Sequence, residues 1–339
     1  MIDFHGWEMA VQFAGINAEH QAVRTACGAF DLGHMGRLQV TGAGSLAFLS
    51  RVVCRKLDDM RVGQVRYGLT LADDGTAEDD VLVSFEGPGS YHVVVNASNK
   101  DKVLALWQPL VPAGVTLTDI SATQGMIAVQ GPTAIALLKT LGLDASSLRN
   151  YSFLDTTWKG VPVRLSRTGY TGEDGCECFL PVAQVVALWE AVIAAGATPC
   201  GLGARDTLRT EAAMPLYGHE LDRSVTPVEA GLGFAVNPAG GFIGAERVLA
   251  QLAQGPAKRL VGLVVPSKRV PRQGYAVLSG GVAVGVITSG TLSPTLGKAI
   301  GMAYVPAALA TPGTTVQVDI RGTQVDAEVV ALPFYKRAK

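Results

Sequence analysis

Residues 166–177 read SRTGYTGEDGCE. Gly169, Gly172 and Gly175 share these twelve positions with a tyrosine, an arginine and three acids. A core strand would carry branched apolar side chains at alternate positions, so this spacing predicts backbone bent closely around something, a loop that holds rather than merely turns. Two further segments support that reading. One is RYGLTLADDGTAEDDVLV (66–83), with the paired carboxylates Asp79 and Asp80; the other is GLGARDTLRTEAAMPLYGHEL (201–221).

Working outward, residues 16–27 place Ile16, Val23 and Cys27 on one side of a half-buried helix that Gly28 stops. Residues 44–53 predict a helix against a sheet. The runs at 65–71, 80–85 and 91–96, cut by DDG and GPGS, predict an antiparallel meander. Helices are expected at 100–110, at 133–141 just after Pro132, at 181–195 and at 204–213, where Arg205 and Arg209 share a face. Strands are expected at 126–129 and 161–167. Past Gln254-Gly255-Pro256-Ala257 the texture changes to short strands between Gly and Pro turns, predicting an all-β C-terminal domain, a small barrel or a jelly roll. The class is α+β.

Composition narrows the function. The chain of 339 residues is 48% hydrophobic and 17% charged, which excludes disorder and leaves room for two or three domains. No run reaches the roughly 20 apolar residues of a membrane helix, and MIDFHGWEMAVQF lacks a basic flank before an apolar stretch, so a soluble, cytoplasmic protein is expected. The net charge of −1 and the lack of a basic, aromatic-laced cluster disfavour nucleic acid. Five scattered cysteines and five histidines without ligand spacing predict buried thiols and no metal site. GTLSPTLGKA (290–299) fails as a phosphate loop, and neither a dinucleotide fingerprint nor a G-x-S-x-G elbow is present. What remains is a set of carboxylates and arginines on glycine-bent loops near tyrosines, suited to gripping a flat polar heterocycle with a charged tail.

Taken in order, residues 7–36 (WEMAVQFAGINAEHQAVRTACGAFDLGHMG), 66–83, VVVNASNKDK (93–102), 166–177, 201–221, TPVEAGLGFAV (226–236), TSGTLSPTLGKAIGMAYVP (288–306) and LPFYKR (332–337) resemble the aminomethyltransferase, or T-protein, family of the glycine cleavage system over nearly the whole chain. The resemblance implies a three-domain α+β fold with antiparallel sheets around a central folate site. Residues 1–254 would form the folate-binding region, as two α+β subdomains with the second inserted at roughly 45–120, and 255–339 the barrel. It implies passage of an aminomethyl carbon from the lipoyl arm of H-protein to tetrahydrofolate, with release of ammonia and formation of 5,10-methylenetetrahydrofolate. Relatives of this fold also include folate-dependent demethylases of small amines, ethers or sulfonium compounds, and an accessory protein without catalysis.

Residue by residue, Asp80 matches the family's essential aspartate near the reactive folate nitrogens. Glu177 and Arg205 match the residues that contact folate, and Met35, Tyr67, Asn96 and Tyr170 match positions lining the pocket. Tyr335 falls in the tail that lies near the site. Consecutive strand residues point to opposite faces, so Asp79 is expected to be structural. The chain departs from the family pattern at Gly75-Thr76-Ala77-Glu78, where an added charge enters, and at Ser84, where an aromatic is lost. Both changes bear on pocket shape.

Overall fold

The computed structural model describes residues 1–337; Ala338 and Lys339, the end of the expected C-terminal domain, lie outside the described residues. The meander expected in the N-terminal half forms a five-stranded antiparallel sheet. Its order is Val65–Leu71, Ala77–Gly87, Ser90–Val95, Gly36–Thr41, Thr116–Asp119. Branched residues on one face of it, among them Val81, Val83, Val93 and Val95, pack with Phe48, Leu49 and Val52 of helix Ser45–Val52 and with Val103 and Trp107 of helix Lys100–Trp107.

A second sheet runs Phe153–Trp158, Val161–Ser166, Gly175–Pro181, Gln124–Gln130, Gly28–Asp31, Thr198–Pro199. It is antiparallel except for the last pairing. Strands Gln124–Gln130 and Gly175–Pro181 are buried along nearly their full length, which requires cover on both faces. Leu188 and Val192 of helix Val185–Ala194 and Leu138 of helix Ala134–Thr140 cover one face. On the other face, Met126, Ala128 and Phe179 meet Val23 of helix Ile16–Thr25 and Ala204 and Leu208 of helix Leu202–Glu211. All five cysteines are free and buried; burial pushes the Cys27, Cys54, Cys176 and Cys200 thiols up to about 12, so they stay protonated.

The glycine stretch is shorter as a loop than its composition indicates. Gly175, Cys176 and Glu177 already belong to a strand, paired with Gln130, Val129 and Ala128, so the loop proper is 167–174. Gly175 permits this pairing: with φ 150°, any Cβ there would meet the Val129 carbonyl oxygen at 2.2 Å.

Of the two expected forms of the C-terminal part, the barrel is found. Six antiparallel strands close in the order Lys258–Val265, Ala299–Pro306, Val282–Leu292, Ala276–Ser279, Thr315–Ile320, Thr323–Val330, around Leu263, Val277, Ile287, Val318 and Val329. The barrel wall grips the C-terminal part of helix Leu202–Glu211 and the segment that follows. Arg209 donates to Ser289 Oγ at 2.8 Å, Thr295 N to Glu211 Oε1 at 3.0 Å, and the Tyr304 hydroxyl to the Glu220 carbonyl at 2.7 Å. No helix among the described residues is long and apolar enough to cross a membrane.

Candidate functional site

The two sheets and the glycine loop enclose a cavity of about 310 Å³. Asp80, Tyr67, Asn96, Tyr170, Glu177, Arg205 and Met35 all line it, drawn together from positions 35 to 205 of the chain. Tyr335 does not line it. That ring lies against the Arg24 guanidinium, 4.0 Å from centroid to carbon, and its backbone N–H donates to the Glu211 carbonyl at 2.9 Å. The tail thus closes over the end of helix Leu202–Glu211 rather than over the cavity.

Strand pairing sets one corner of the cavity. Asp80 lies opposite Leu69 and Tyr67 opposite Leu82, so on their common face phenol and carboxylate sit on a diagonal, and the Tyr67 hydroxyl donates to Asp80 Oδ2 at 3.0 Å. Asn96, just past strand Ser90–Val95, donates from Nδ2 to Asp80 Oδ1 at 2.6 Å. Asp80 is pushed above the usual carboxylate range by burial and then by the neighbouring charge of Asp79; the Tyr67 and Asn96 hydrogen bonds pull the other way. Asp79 is fully buried, does not line the cavity, and is also raised by burial. Its oxygens accept from Asn96 N (3.0 Å), Asn96 Nδ2 (2.9 Å) and Asn99 Nδ2 (2.6 Å).

The opposite wall carries Glu177 and Arg205. Glu177 projects from its strand with Oε2 bonded by the Thr168 hydroxyl, while Oε1 accepts no hydrogen bond among the described residues. Burial raises its pKa; the Thr168 bond and Arg205 oppose that rise. The Arg205 guanidinium lies 4.6 Å over the Tyr170 ring and forms neither ion pair nor side-chain hydrogen bond among the described residues. Tyr170 is fixed by donating to the Pro215 carbonyl at 2.6 Å. A carboxylate oxygen and a guanidinium both left without protein partners on a cavity wall are groups free to engage a ligand with donors and acceptors of its own.

Neither departure from the family pattern intrudes. Glu78 is buried away from the cavity and paired with Arg223 and with Lys102, 2.5 Å and 3.4 Å away. Ser84 is buried two residues beyond Leu82 and does not line the cavity. Sequence reasoning missed Tyr151, Thr168 and the role of Phe234 at the rim. The Phe234 ring stacks on Tyr67 with centroids 6.3 Å apart. The signals available were weak: an isolated aromatic in a Gly-rich turn, and a tyrosine at φ 57° that no pattern announces.

Comparisons with known proteins agree over the whole chain. Residues 1–239 match the GCVT N-terminal domain and residues 258–336 the glycine cleavage T-protein C-terminal barrel domain. An aminomethyltransferase of Geobacillus kaustophilus is 48% identical over 346 residues, covering all of this chain and 95% of its own. That of Synechococcus elongatus is 45% identical, covering 98% of this chain and 91% of its own. The crystal structure of glycine cleavage system aminomethyltransferase T from Bartonella henselae superposes with a TM-score of 0.93 at 30% identity, over 98% of this chain and 93% of that one. By fold, by full-length identity and by both matched domains, the chain belongs to the glycine cleavage T-protein family of aminomethyltransferases.

Proposed function

We propose that the cavity binds tetrahydrofolate as a co-substrate and that the protein transfers to it the aminomethyl carbon carried on the lipoyl arm of H-protein. The observation that carries this reading is the opposition of two walls in one cavity: Asp80, raised above the usual carboxylate range by burial and held by Tyr67 and Asn96, and the unpartnered Glu177 Oε1 and Arg205. A pterin edge offers a ring N–H beside an amino group, which a carboxylate oxygen accepts. Tyr67, Tyr170 and Phe234 supply flat apolar faces for the rings.

In the reaction the carbon–sulfur bond breaks, folate N5 bonds to the iminium-like carbon, and closure onto N10 expels ammonia. Dihydrolipoyl thiol and ammonia take up the protons that N5 and N10 give up. Asp80 accepts and returns protons at these nitrogens and, when ionised, stabilises the cationic carbon. The two walls hold the reacting atoms in line. No thiolate of this chain takes part. The cytoplasm, a reducing compartment, suits five buried free thiols.

The test is reconstitution. Purified protein, tetrahydrofolate and aminomethyl-loaded H-protein are expected to yield ammonia and 5,10-methylenetetrahydrofolate one to one. No transfer from loaded H-protein, with transfer from a free methylated amine or sulfonium compound instead, overturns the donor assignment.

A further inference from the structure

The Asp80–Tyr67 pair is the inner end of a longer series. Outward from Tyr67 the Phe234 ring follows at 6.3 Å, tilted 26°, and the Arg55 guanidinium lies 6.0 Å from the Phe234 centroid. Carboxylate, phenol and phenyl thus run from the interior of the cavity to its rim, where Phe234 is 66% exposed, and the guanidinium lies just outside the lining residues, next to that rim.

Arg55 differs from the other cations near it. Arg66 is bound to Asp59 and to the Lys56 carbonyl, and Lys56 lies 3.6 Å from Asp59. Arg55 has no ion pair and no side-chain hydrogen bond among the described residues, and its Nε is buried without an acceptor. Its stem is fixed where it lies: at Gly68, one residue from Tyr67, a Cβ would meet Arg55 Cβ at 2.8 Å, so the glycine makes room for the arginine over the strand. Burial, and then the charge of Arg66, weakens its hold on its proton. A guanidinium in such a place is satisfied by an anion from outside the chain.

We infer that Arg55 is a specificity-determining residue that holds a carboxylate of the glutamyl tail of the folate. This rests on the folate reading above. With the reacting nitrogens at Asp80, the aminobenzoyl ring falls beside Tyr67 and Phe234, and the tail leaves past Arg55.

Calorimetry with folinic acid and with its tailless counterpart, 5-formyltetrahydropteroate, tests this on the full-length protein. The unaltered protein is expected to prefer the ligand with the tail by roughly tenfold, the scale of one charge-assisted contact at a partly exposed site. Arg55→Gln, with its melting temperature checked, is expected to bring the two affinities within about twofold of each other, and Arg55→Lys to retain most of the preference, since the charge is kept. An unchanged ratio in Arg55→Gln overturns the inference. So does an equal loss for both ligands, which would mean that Arg55 acts only by supporting Phe234. Failure of the unaltered protein to bind either ligand would sink the folate reading itself, and this inference with it.

Discussion

Asp79 and Asp80, adjacent on one strand, are tied by a single amide: Asn96 Nδ2 lies 2.9 Å from Asp79 Oδ1 and 2.6 Å from Asp80 Oδ1. Strand alternation gives them different surroundings, one fully buried and the other on the cavity wall, yet the turn after Ser90–Val95 lets one side chain reach both. Asp79 thus acts on Asp80 in two ways, through its charge and through the shared donor.

Both carboxyls are raised by burial, and Asp80 by Asp79 as well. Activity that needs ionised Asp80 should fall as pH drops through a value above the ordinary aspartate pKa of about 3.9. The kcat/KM profile of the free enzyme is expected to show that acid limb, and Asp79→Asn to move it downward by removing a like charge. The stability contribution has the opposite sign. A carboxyl with a raised folded pKa favours the fold fully below its unfolded pKa, and this is lost as pH rises through the folded value. Asp79→Asn also sets an NH₂ against Asn96 or Asn99 donors in either amide orientation, costing about 1–3 kcal/mol by denaturant melt.

Glu177→Ala and Arg205→Ala each remove a group whose partner, in this account, is the ligand. Each should weaken tetrahydrofolate or folinic acid binding by roughly ten- to a hundred-fold, the equivalent of about 1.5–3 kcal/mol. Calorimetry returning the unaltered affinity for both variants rejects their assignment to the ligand.

Gly169→Ala tests why the loop is glycine-rich. A Cβ there would meet Gln130 Oε1 at 2.0 Å, and Gln130 is a buried residue that accepts from the Thr171 hydroxyl at 3.0 Å and donates to the Thr168 carbonyl at 3.2 Å. Overpacking at such a contact costs about 1–3 kcal/mol, and the displaced Thr168 and Tyr170 should weaken folate binding too. A variant with unchanged melting and affinity would show the loop to be looser than this packing.

Glu220→Ala addresses the support behind Arg205. Arg209, on the same helix, pairs with Glu220 at 2.7 Å with both side chains buried, and Glu220 also accepts from the Thr288 hydroxyl of the barrel at 2.6 Å. Removing Glu220 leaves the buried Arg209 with the half-exposed Asp206, 2.7 Å away, as its counter-charge, so a loss of about 3 kcal/mol, the low end for a broken buried pair, is expected in chemical denaturation. A loss below about 1 kcal/mol would mean that water reaches Arg209 and relieves it.

Much of this was legible in the chain. The 3.6-residue spacing of Leu188 and Val192, the period-two meander and the Gly and Pro turns after Gln254 announce their elements because local pattern and burial agree. Helix Ala245–Gln254 was missed although Ala245, Val248, Leu249 and Leu252 fall at the i, i+3, i+4, i+7 spacing of an amphipathic helix, so its signal was present in the chain. At the site, charged residues in glycine-bent segments stood out. Leu32, Val94 and Met126 did not, because a cavity-lining apolar residue on or just past a strand has the same pattern as a core residue. Phe234 and Arg55 become neighbours only through the tertiary approach of segments far apart in the chain, which no spacing records.

The most direct test of the central claim is to separate binding from chemistry at Asp80. Asp80→Asn keeps the size and one acceptor for Tyr67 or Asn96 but removes the charge and the titrating proton. Measured on one preparation, folate affinity is expected to stay close to that of the unaltered protein, while single-turnover transfer from loaded H-protein falls by at least ~100-fold. Full transfer activity in Asp80→Asn, with folate bound normally, would contradict the account.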